Sequence, residues 1–296
     1  SEIPEYLSWR MEEVGGVFVQ TESELAGINM LFGAASTGKR CLTSSSGPGY
    51  ALMQEGISYL CGTELPAVIL DVQRIGNALG DITTGQGDYW ALTRGGGHGD
   101  YRTIVLAPAS VQEQVDLAST AFDLAEKYRT ISIILSDGGI SQMIEKVVLP
   151  EAKEHDNTKF DWAIKGHKAV DEPKVKVTNL DRSMPYDEYD KMTRNKFKEM
   201  HDNEQRWEEF QIEDAEMVLV AIGISSRVCK SAVREARAAG VKLGLLRPIT
   251  VWPFPEKAFA KLPESCKALA TVEMSLSAQM AQDVLLASKH KLPVYS

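Results

Sequence analysis

Short apolar runs alternate with helix-like stretches through the first 150 residues, and few folds accommodate that rhythm. Strand-like runs lie at 17–20, 40–44, 66–72, 103–106 and 131–135, with helix-like stretches at 22–38, 50–61, 88–94 and 110–128 between them. Strands that are apolar along their length are buried on both faces, so a mostly parallel sheet covered by helices is predicted. Ser110 with Glu113 at the third helical position has the form of a capping box. The rhythm breaks at 151–214, a polar stretch rich in Lys, Asp and Glu that follows Pro150 and contains Pro173 and Pro185. Its second half, 186–210, carries an intermittent apolar stripe of Tyr189, Met192, Phe197, Met200 and Trp207. This predicts a charged helix, a linker and packing arm standing in solvent between two domains. Alternation then resumes with a strand at 217–222, a helix at 225–240 closed by Gly240, and a strand at 241–246. A rigid proline-rich turn, Val251-Trp252-Pro253-Phe254-Pro255, leads to a strand at 268–273 and a helix at 277–287. The expected fold class is therefore α/β, with a domain at 1–150, a linker and arm at 151–214, and a smaller domain at 215–296.

A chain of 296 residues suits two domains. Its net charge of −9 disfavours a nucleic-acid partner or an anionic membrane surface. No apolar run approaches a membrane span, and nothing at the N-terminus reads as a signal peptide. Cys41, Cys61, Cys229 and Cys266 form no Cys-x-x-Cys pair, which leaves no visible zinc or iron–sulfur site. Cys41, Cys229 and Cys266 lie in or beside apolar runs and read as small buried hydrophobes. Reduced thiols fit a cytoplasmic location.

Several segments have the makings of a site. From Glu24, steps of 4, 3 and 4 residues reach Ile28, Leu31 and Ala35, one apolar helix face, which directs this carboxylate toward a packed interior. Glu22 steps onto Ala26, Asn29 and Gly33, a more polar side. A buried carboxylate without a partner is costly and tends to be functional; the alternative is a surface glutamate favouring the helix dipole. Ser44-Ser45-Ser46-Gly47-Pro48-Gly49 lies between a strand and a helix, where α/β sheets bind ligands, although an ordinary turn would read the same way. It is neither a phosphate-binding Lys loop nor a nucleophile elbow. Arg74 ends a strand and opens the glycine-rich stretch 75–87; it suits a bidentate clamp on a carboxylate, or else a surface pair with Asp71 or Asp81. His98, inside Gly95-Gly96-Gly97-His98-Gly99-Asp100, is either a general base or a structural histidine in a tight turn. Ser136-Asp137-Gly138-Gly139 reads as a turn.

Together these residues resemble one family, the α subunits of 2-oxoacid:ferredoxin oxidoreductases. The likeness is carried in order by Val19-Gln20-Thr21-Glu22-Ser23-Glu24, Thr43-Ser44-Ser45-Ser46-Gly47-Pro48-Gly49, Leu52-Met53-Gln54-Glu55, Glu64-Leu65-Pro66 and Val72-Gln73-Arg74. It continues in Gly95 to Arg102, Leu106-Ala107-Pro108-Ala109-Ser110 and the run from Leu246 to Pro255. Gly-Gly-Gly-His-Gly-Asp-Tyr-Arg is most like the branched-chain, 2-oxoisovalerate branch.

The resemblance implies a thiamine-diphosphate-binding domain of the pyrimidine type followed by a transketolase-C-terminal-like domain. It implies that Glu24 is the catalytic carboxyl partner of the aminopyrimidine, that Arg74 holds the substrate carboxylate, and that Ser46, Gly47, Pro48 and Gly49 line the cofactor pocket. His98 and Asp88 are further candidates. The family's Gly-Asp-Gly metal–diphosphate motif is not matched by Ser136-Asp137-Gly138. Mg²⁺ and the 4Fe-4S clusters are accordingly expected on partner subunits: a β subunit that shares the thiamine diphosphate, a γ subunit and a ferredoxin-like cluster subunit. Coenzyme A and ferredoxin complete the expected partners. A Tyr-Pro-Ile-Thr-Pro segment would precede Ser1 and a glycine-rich tail would follow Ser296, so a shortened chain is expected. The implied activity is coenzyme A-acylating oxidative decarboxylation of a branched 2-oxo acid, within a multi-subunit complex only. The alternatives are a structural subunit without catalysis, a 2-oxoglutarate- or pyruvate-specific enzyme, and another thiamine diphosphate enzyme.

Overall fold

The computed structural model describes residues 2–152, 155–166, 174–176, 178 and 184–296. After helix α1 (Glu2–Arg10) come α2 (Glu24–Ser36), β1 (Leu42–Ser45), α3 (Gly47–Gly62), β2 (Ala67–Gln73) and α4 (Tyr89–Arg94). β3 (Ile104–Leu106), α5 (Val111–Tyr128), β4 (Ile131–Asp137) and a single turn, α6 (Gly138–Ser141), follow. The strands lie in the order β1-β2-β4-β3 and run parallel. β4 is buried at every residue and β2 at all but one, the pattern of a sheet covered on both faces. Ile69, Val105 and Ile133 belong to the same apolar cluster as Ile28 of α2 and Tyr50, Met53 and Ile57 of α3. Val68, Leu70 and Ile134 cluster instead with Leu117, Ala121 and Leu124 of α5.

Local chemistry fixes where the helices begin. Ser23 Oγ accepts the N–H of Ala26 at 3.3 Å to start α2. Pro48 occupies the first turn of α3, where its missing N–H costs no helical hydrogen bond. At the start of α5, Ser110 Oγ accepts the N–H of Glu113 at 3.1 Å, as a capping box requires. The return bond is displaced by one residue: Glu113 Oε2 accepts the N–H of Ala109 at 2.7 Å.

The second half contains α7 (Tyr186–Asn203), β5 (Trp207–Phe210), β6 (Met217–Val220), α8 (Gly223–Ala238), β7 (Leu243–Pro248) and β8 (Thr250–Trp252). α9 (Glu256–Phe259), β9 (Ala268–Thr271), α10 (Ala281–Ala287) and β10 (Val294–Tyr295) complete it. Its sheet has the order β10-β9-β6-β7-β5 and is parallel except for β5, which runs antiparallel to β7. β8 leaves this sheet and pairs antiparallel with β3, becoming the fifth strand of the first sheet. One apolar cluster runs from Ile28 and Ile57 through Leu246 and Val251 to Leu269 and Val284, so the two sheets share a continuous interior.

Three expectations are corrected. Residues 17–20 form no strand; Val17 and Val19 are exposed, and apolar alternation without a neighbouring strand to pair with gives no ladder. Residues 186–210 are not one helix. α7 ends at Asn203, and the buried side chain of Glu204 accepts hydrogen bonds from Lys127 Nζ at 2.8 Å and Tyr128 Oη at 2.7 Å. That tether turns the chain into β5. Met200 is buried in the α5-side cluster with Phe197 against it, so α7 packs on the first sheet instead of standing in solvent. The proline-rich segment after Pro248 likewise includes a strand, β8. Within the expected linker 151–214, residues 153–154, 167–173 (Pro173 among them), 177 and 179–183 lie outside the described residues.

Candidate active site

Glu24, the Ser46–Gly49 turn, Arg74 and Asp88 meet at the carboxyl ends of β1 and β2, where a parallel sheet opens its ligand crevice. Glu24 is the first residue of α2 and its side chain lies over Gly49. A Cβ at Gly49 would meet Glu24 Oε1 at 2.7 Å and collide with Ser45 Oγ, so glycine is what lets α3 start beneath the carboxylate. Ile28, Leu31 and Ala35 are buried as the spacing requires. The apolar face surfaces at its first residue, however: Glu24 is exposed in the single chain and not enclosed as expected, because it sits at the end of the helix beyond the sheet. Its carboxylate makes no hydrogen bond or ion pair with a described residue and is free to accept one from a ligand. Ser46 stands at the N-cap of α3, with its carbonyl accepting the N–H of Gly49 at 2.8 Å and of Tyr50 at 3.0 Å.

Arg74 is half-buried, and its Nε is buried without a hydrogen-bond partner. It forms no salt bridge with Asp71, Asp81 or any other described residue, so the surface-pair alternative does not hold. The glycine-rich loop that follows returns to it: Arg74 bridges Thr84, and the N–H of Ile75 reaches the carbonyl of Thr83 at 3.0 Å.

Asp88 stands at the N-cap position of α4 yet does not cap that helix. Its carboxylate turns the other way, and a Cβ on Gly47 would lie 2.9 Å from Oδ1. Burial raises its pKa, opposed by the backbone N–H of Gly47, the Arg74 guanidinium and the backbone N–H of Arg74. Behind it on β2, Asp71 is 0 % exposed with neither carboxylate oxygen hydrogen-bonded. Burial, then the charge of Asp88, push its pKa well above the ordinary range against the pull of Arg74.

His98 is on the surface, 3.7 Å from Glu55 and edge-on to Tyr59, with its backbone N–H donating to Ser58 Oγ at 2.9 Å. Ser58 is nine residues beyond Gly49 on α3, roughly 13 Å along the helix. The structure does not bring His98 to the Glu24 cluster; it lies in a turn closed by the Gly99 N–H on the Gly96 carbonyl at 2.8 Å. The thiols of Cys41, Cys61 and Cys229 are lifted by burial to about 11, as inert core cysteines are.

The sequence alone did not expose the junction that anchors this cluster to the second sheet. Gln86, buried, donates through Nε2 to Ile222 O at 3.0 Å and Asp137 Oδ2 at 3.3 Å, and accepts at Oε1 from Ser225 Oγ and the N–H of Met274, both at 3.1 Å. Asp137 also accepts the N–H groups of Ile140 and Ile224, so Ser136-Asp137-Gly138-Gly139 is an interlocking cap and not merely a turn. Nearby, Trp90 is held by Gln279, and Tyr89 and Arg94 both bond Asp283. A separate cavity of about 640 Å³ lies between α5 and α8; its charges close on one another, as in Arg227–Glu145 at 2.7 Å and Arg247–Glu113 at 2.9 Å.

Family comparisons match both halves of the chain. Residues 1–212 match the thiamine-diphosphate-binding domain of pyruvate flavodoxin/ferredoxin oxidoreductases, and residues 215–296 match core domain II of pyruvate:ferredoxin oxidoreductase. The ketoisovalerate oxidoreductase subunit VorB of Methanothermobacter marburgensis is 51% identical over 275 residues, covering 93% of this chain and 78% of that protein. The 2-oxoglutarate synthase subunit KorA of Methanocaldococcus jannaschii is 35% identical, covering 98% and 87%. Among solved structures, the 2-oxoglutarate:ferredoxin oxidoreductase of Magnetococcus marinus superimposes with a TM-score of 0.81 at 23% identity, covering 99% of this chain and 56% of that one. A split-gene transketolase superimposes at 0.55 and 14% identity, covering 95% and 72%. At those identities the structural likenesses speak to the fold, which is the thiamine-diphosphate-binding α/β arrangement followed by a transketolase-like α/β unit.

Proposed function

The chain belongs to the 2-oxoacid:ferredoxin oxidoreductases, as a thiamine-diphosphate-binding subunit of these multi-subunit enzymes, and on that footing we propose that it acts on branched 2-oxo acids. The reaction is coenzyme A-acylating oxidative decarboxylation, with electrons leaving through 4Fe-4S clusters on partner subunits to ferredoxin. Higher identity to ketoisovalerate subunits than to 2-oxoglutarate subunits supports this substrate class. The single observation that carries the catalytic reading is the Glu24 carboxylate laid over Gly49 at the mouth of the sheet, without a partner among the described residues.

The residues present fit the cofactor: an open carboxyl acceptor stands above a glycine turn with no side chain in the way. Bound thiamine diphosphate supplies the nucleophilic carbon for the 2-oxo group and accepts the electron pair when CO₂ leaves. Glu24 would set its carboxyl against the pyrimidine ring nitrogen and share a proton with it there, and Gly47-Pro48-Gly49 would line the pocket. Arg74, with its buried Nε unpaired, presents a planar fork to the substrate carboxylate.

Glu24 needs a dry setting to be effective, and this chain alone leaves it open. A β subunit that also carries Mg²⁺ closes over it in this reading, and a γ subunit and a ferredoxin-like cluster subunit complete the assembly. Val17, Val19, Leu25 and Leu52 are exposed apolar residues flanking Glu24 and Gly49 in sequence, a rim suited to such a partner. The domain limits 1–150, 151–214 and 215–296 and a cytoplasmic location belong to the same reading; no helix of the described residues is long and apolar enough to cross a membrane.

In the reconstituted complex, Glu24→Gln is expected to lower turnover by about a hundredfold or more. Undiminished turnover would mean a structural subunit. Comparing 2-oxoisovalerate, pyruvate, 2-oxoglutarate and aryl-glyoxylates with a ferredoxin-like dye tests the substrate class. Preference for 2-oxoglutarate would overturn it.

A further inference from the structure

Seven buried side-chain polar atoms lack a hydrogen-bond partner among the described residues, and five of them belong to Asp71, Gln73, Arg74 and Asp88. Buried polar atoms are normally paired, so such a concentration marks a place where geometry serves something other than stability. Asp88 gives the clearest instance. It occupies a position where aspartate ordinarily caps its own helix, yet its side chain does not cap α4, whose Trp90 N–H is taken by Gln279 instead. Its carboxylate instead lies against Gly47, the first residue of the turn after β1, and takes the influence of the backbone N–H groups of both Gly47 and Arg74. It also lies in the field of the Arg74 guanidinium without forming a salt bridge to it.

We propose that Asp88 is a positioning residue that fixes Arg74 relative to the Gly47-Pro48-Gly49 turn, setting the distance between the carboxylate-binding fork and the cofactor floor. This rests on the reading of Arg74 as the substrate clamp. One anion set between the start of α3 and the segment after β2 is suited to the task, because its Oδ1 lies against Gly47 while the group stays in the field of Arg74. Salt-bridging Arg74 outright would cancel the charge that a substrate carboxylate needs. Holding it at one remove aims the side chain and leaves the fork free. Asp71 lies fully buried behind the pair, and burial raises its pKa, which disfavours a second negative charge beside Arg74.

The test uses the complex assembled from this chain and its partner subunits, with 2-oxoisovalerate as the varied substrate. Asp88→Asn is expected to raise KM about tenfold or more while kcat stays within about threefold, because aim is lost and chemistry is not. In an Arg74→Gln background, the same substitution is expected to add almost nothing to KM. An unchanged KM for Asp88→Asn, or an equal loss in both backgrounds, overturns the proposal. Arg74→Gln alone leaving KM unchanged overturns the clamp assignment itself, a distinguishable failure. Should the Asp88→Asn complex not assemble, Asp88→Glu takes its place: it keeps the charge but overreaches toward Gly47, and KM must rise selectively for the proposal to stand.

Discussion

Asp71 sits on β2, apolar except for it and Gln73, and is fully buried with both oxygens unpaired. A carboxyl pushed above its ordinary pKa of 3.8 by burial stabilises the fold only while the unfolded chain is protonated too. That contribution is present below the ordinary value and is lost as pH rises toward the raised one, so at neutral pH Asp71 is a burden. Asp71→Asn mimics the protonated acid and is expected to raise the melting temperature by a few degrees at pH 7. Thermal melts across pH should show the gain vanish below about pH 4, the ordinary aspartate range. Not all of this was open to a reader of residues. The step from Glu24 to Ile28, Leu31 and Ala35 is written in the sequence, and all three are buried. Whether Glu24 itself is enclosed depends on a second polypeptide that spacing within one chain does not encode. The unpaired Asp71 looked like any acidic residue near a strand end, because its cost arises from burial under other elements and then from Asp88, seventeen positions away in sequence.

Helices and strands show the same division. The Ser110–Glu113 cap was legible because it is local, and so was the alternation of apolar runs and helix-like stretches that placed α3 and α5. Residues 17–20 failed because a strand is a relation between two segments, and only one of them was visible. The end of α7 failed because it is set by Glu204, whose donors Lys127 and Tyr128 lie on α5. Burial raises the Glu204 pKa, but the hydrogen bonds from Lys127, Tyr128 and Arg206 outweigh it and hold the carboxyl below its ordinary 4.5. A lowered carboxyl contributes stability above the ordinary value and loses it as pH falls through the lowered one. Glu204→Gln is therefore expected to cost about 1–3 kcal/mol at neutral pH in denaturant titrations. The gap to the unsubstituted protein should narrow below about pH 4. A gap that stays constant into acid would refute the ionic contribution.

At the scale of the molecule, one buried amide ties the two sheets together alongside their shared interior and the β3–β8 ladder. Gln86 satisfies both of its ends with partners from the second half of the chain and Asp137, in a buried setting. Gln86→Leu keeps the volume and strands those partners, at an expected cost of about 2–4 kcal/mol. Calorimetry should also resolve two melting steps where the unsubstituted chain gives one; a single step at the original temperature would exclude the junction as a coupling point. The α/β class and the alternation that builds both sheets could be read from apolar runs alone. The β3–β8 pairing could not, since nothing local to Thr250–Trp252 says which sheet it joins. That pairing has a practical result. A protease nicking the polar stretch between the halves would leave two fragments still strapped together by main-chain ladder and common interior, travelling as one particle on a sizing column and coming apart only in denaturant.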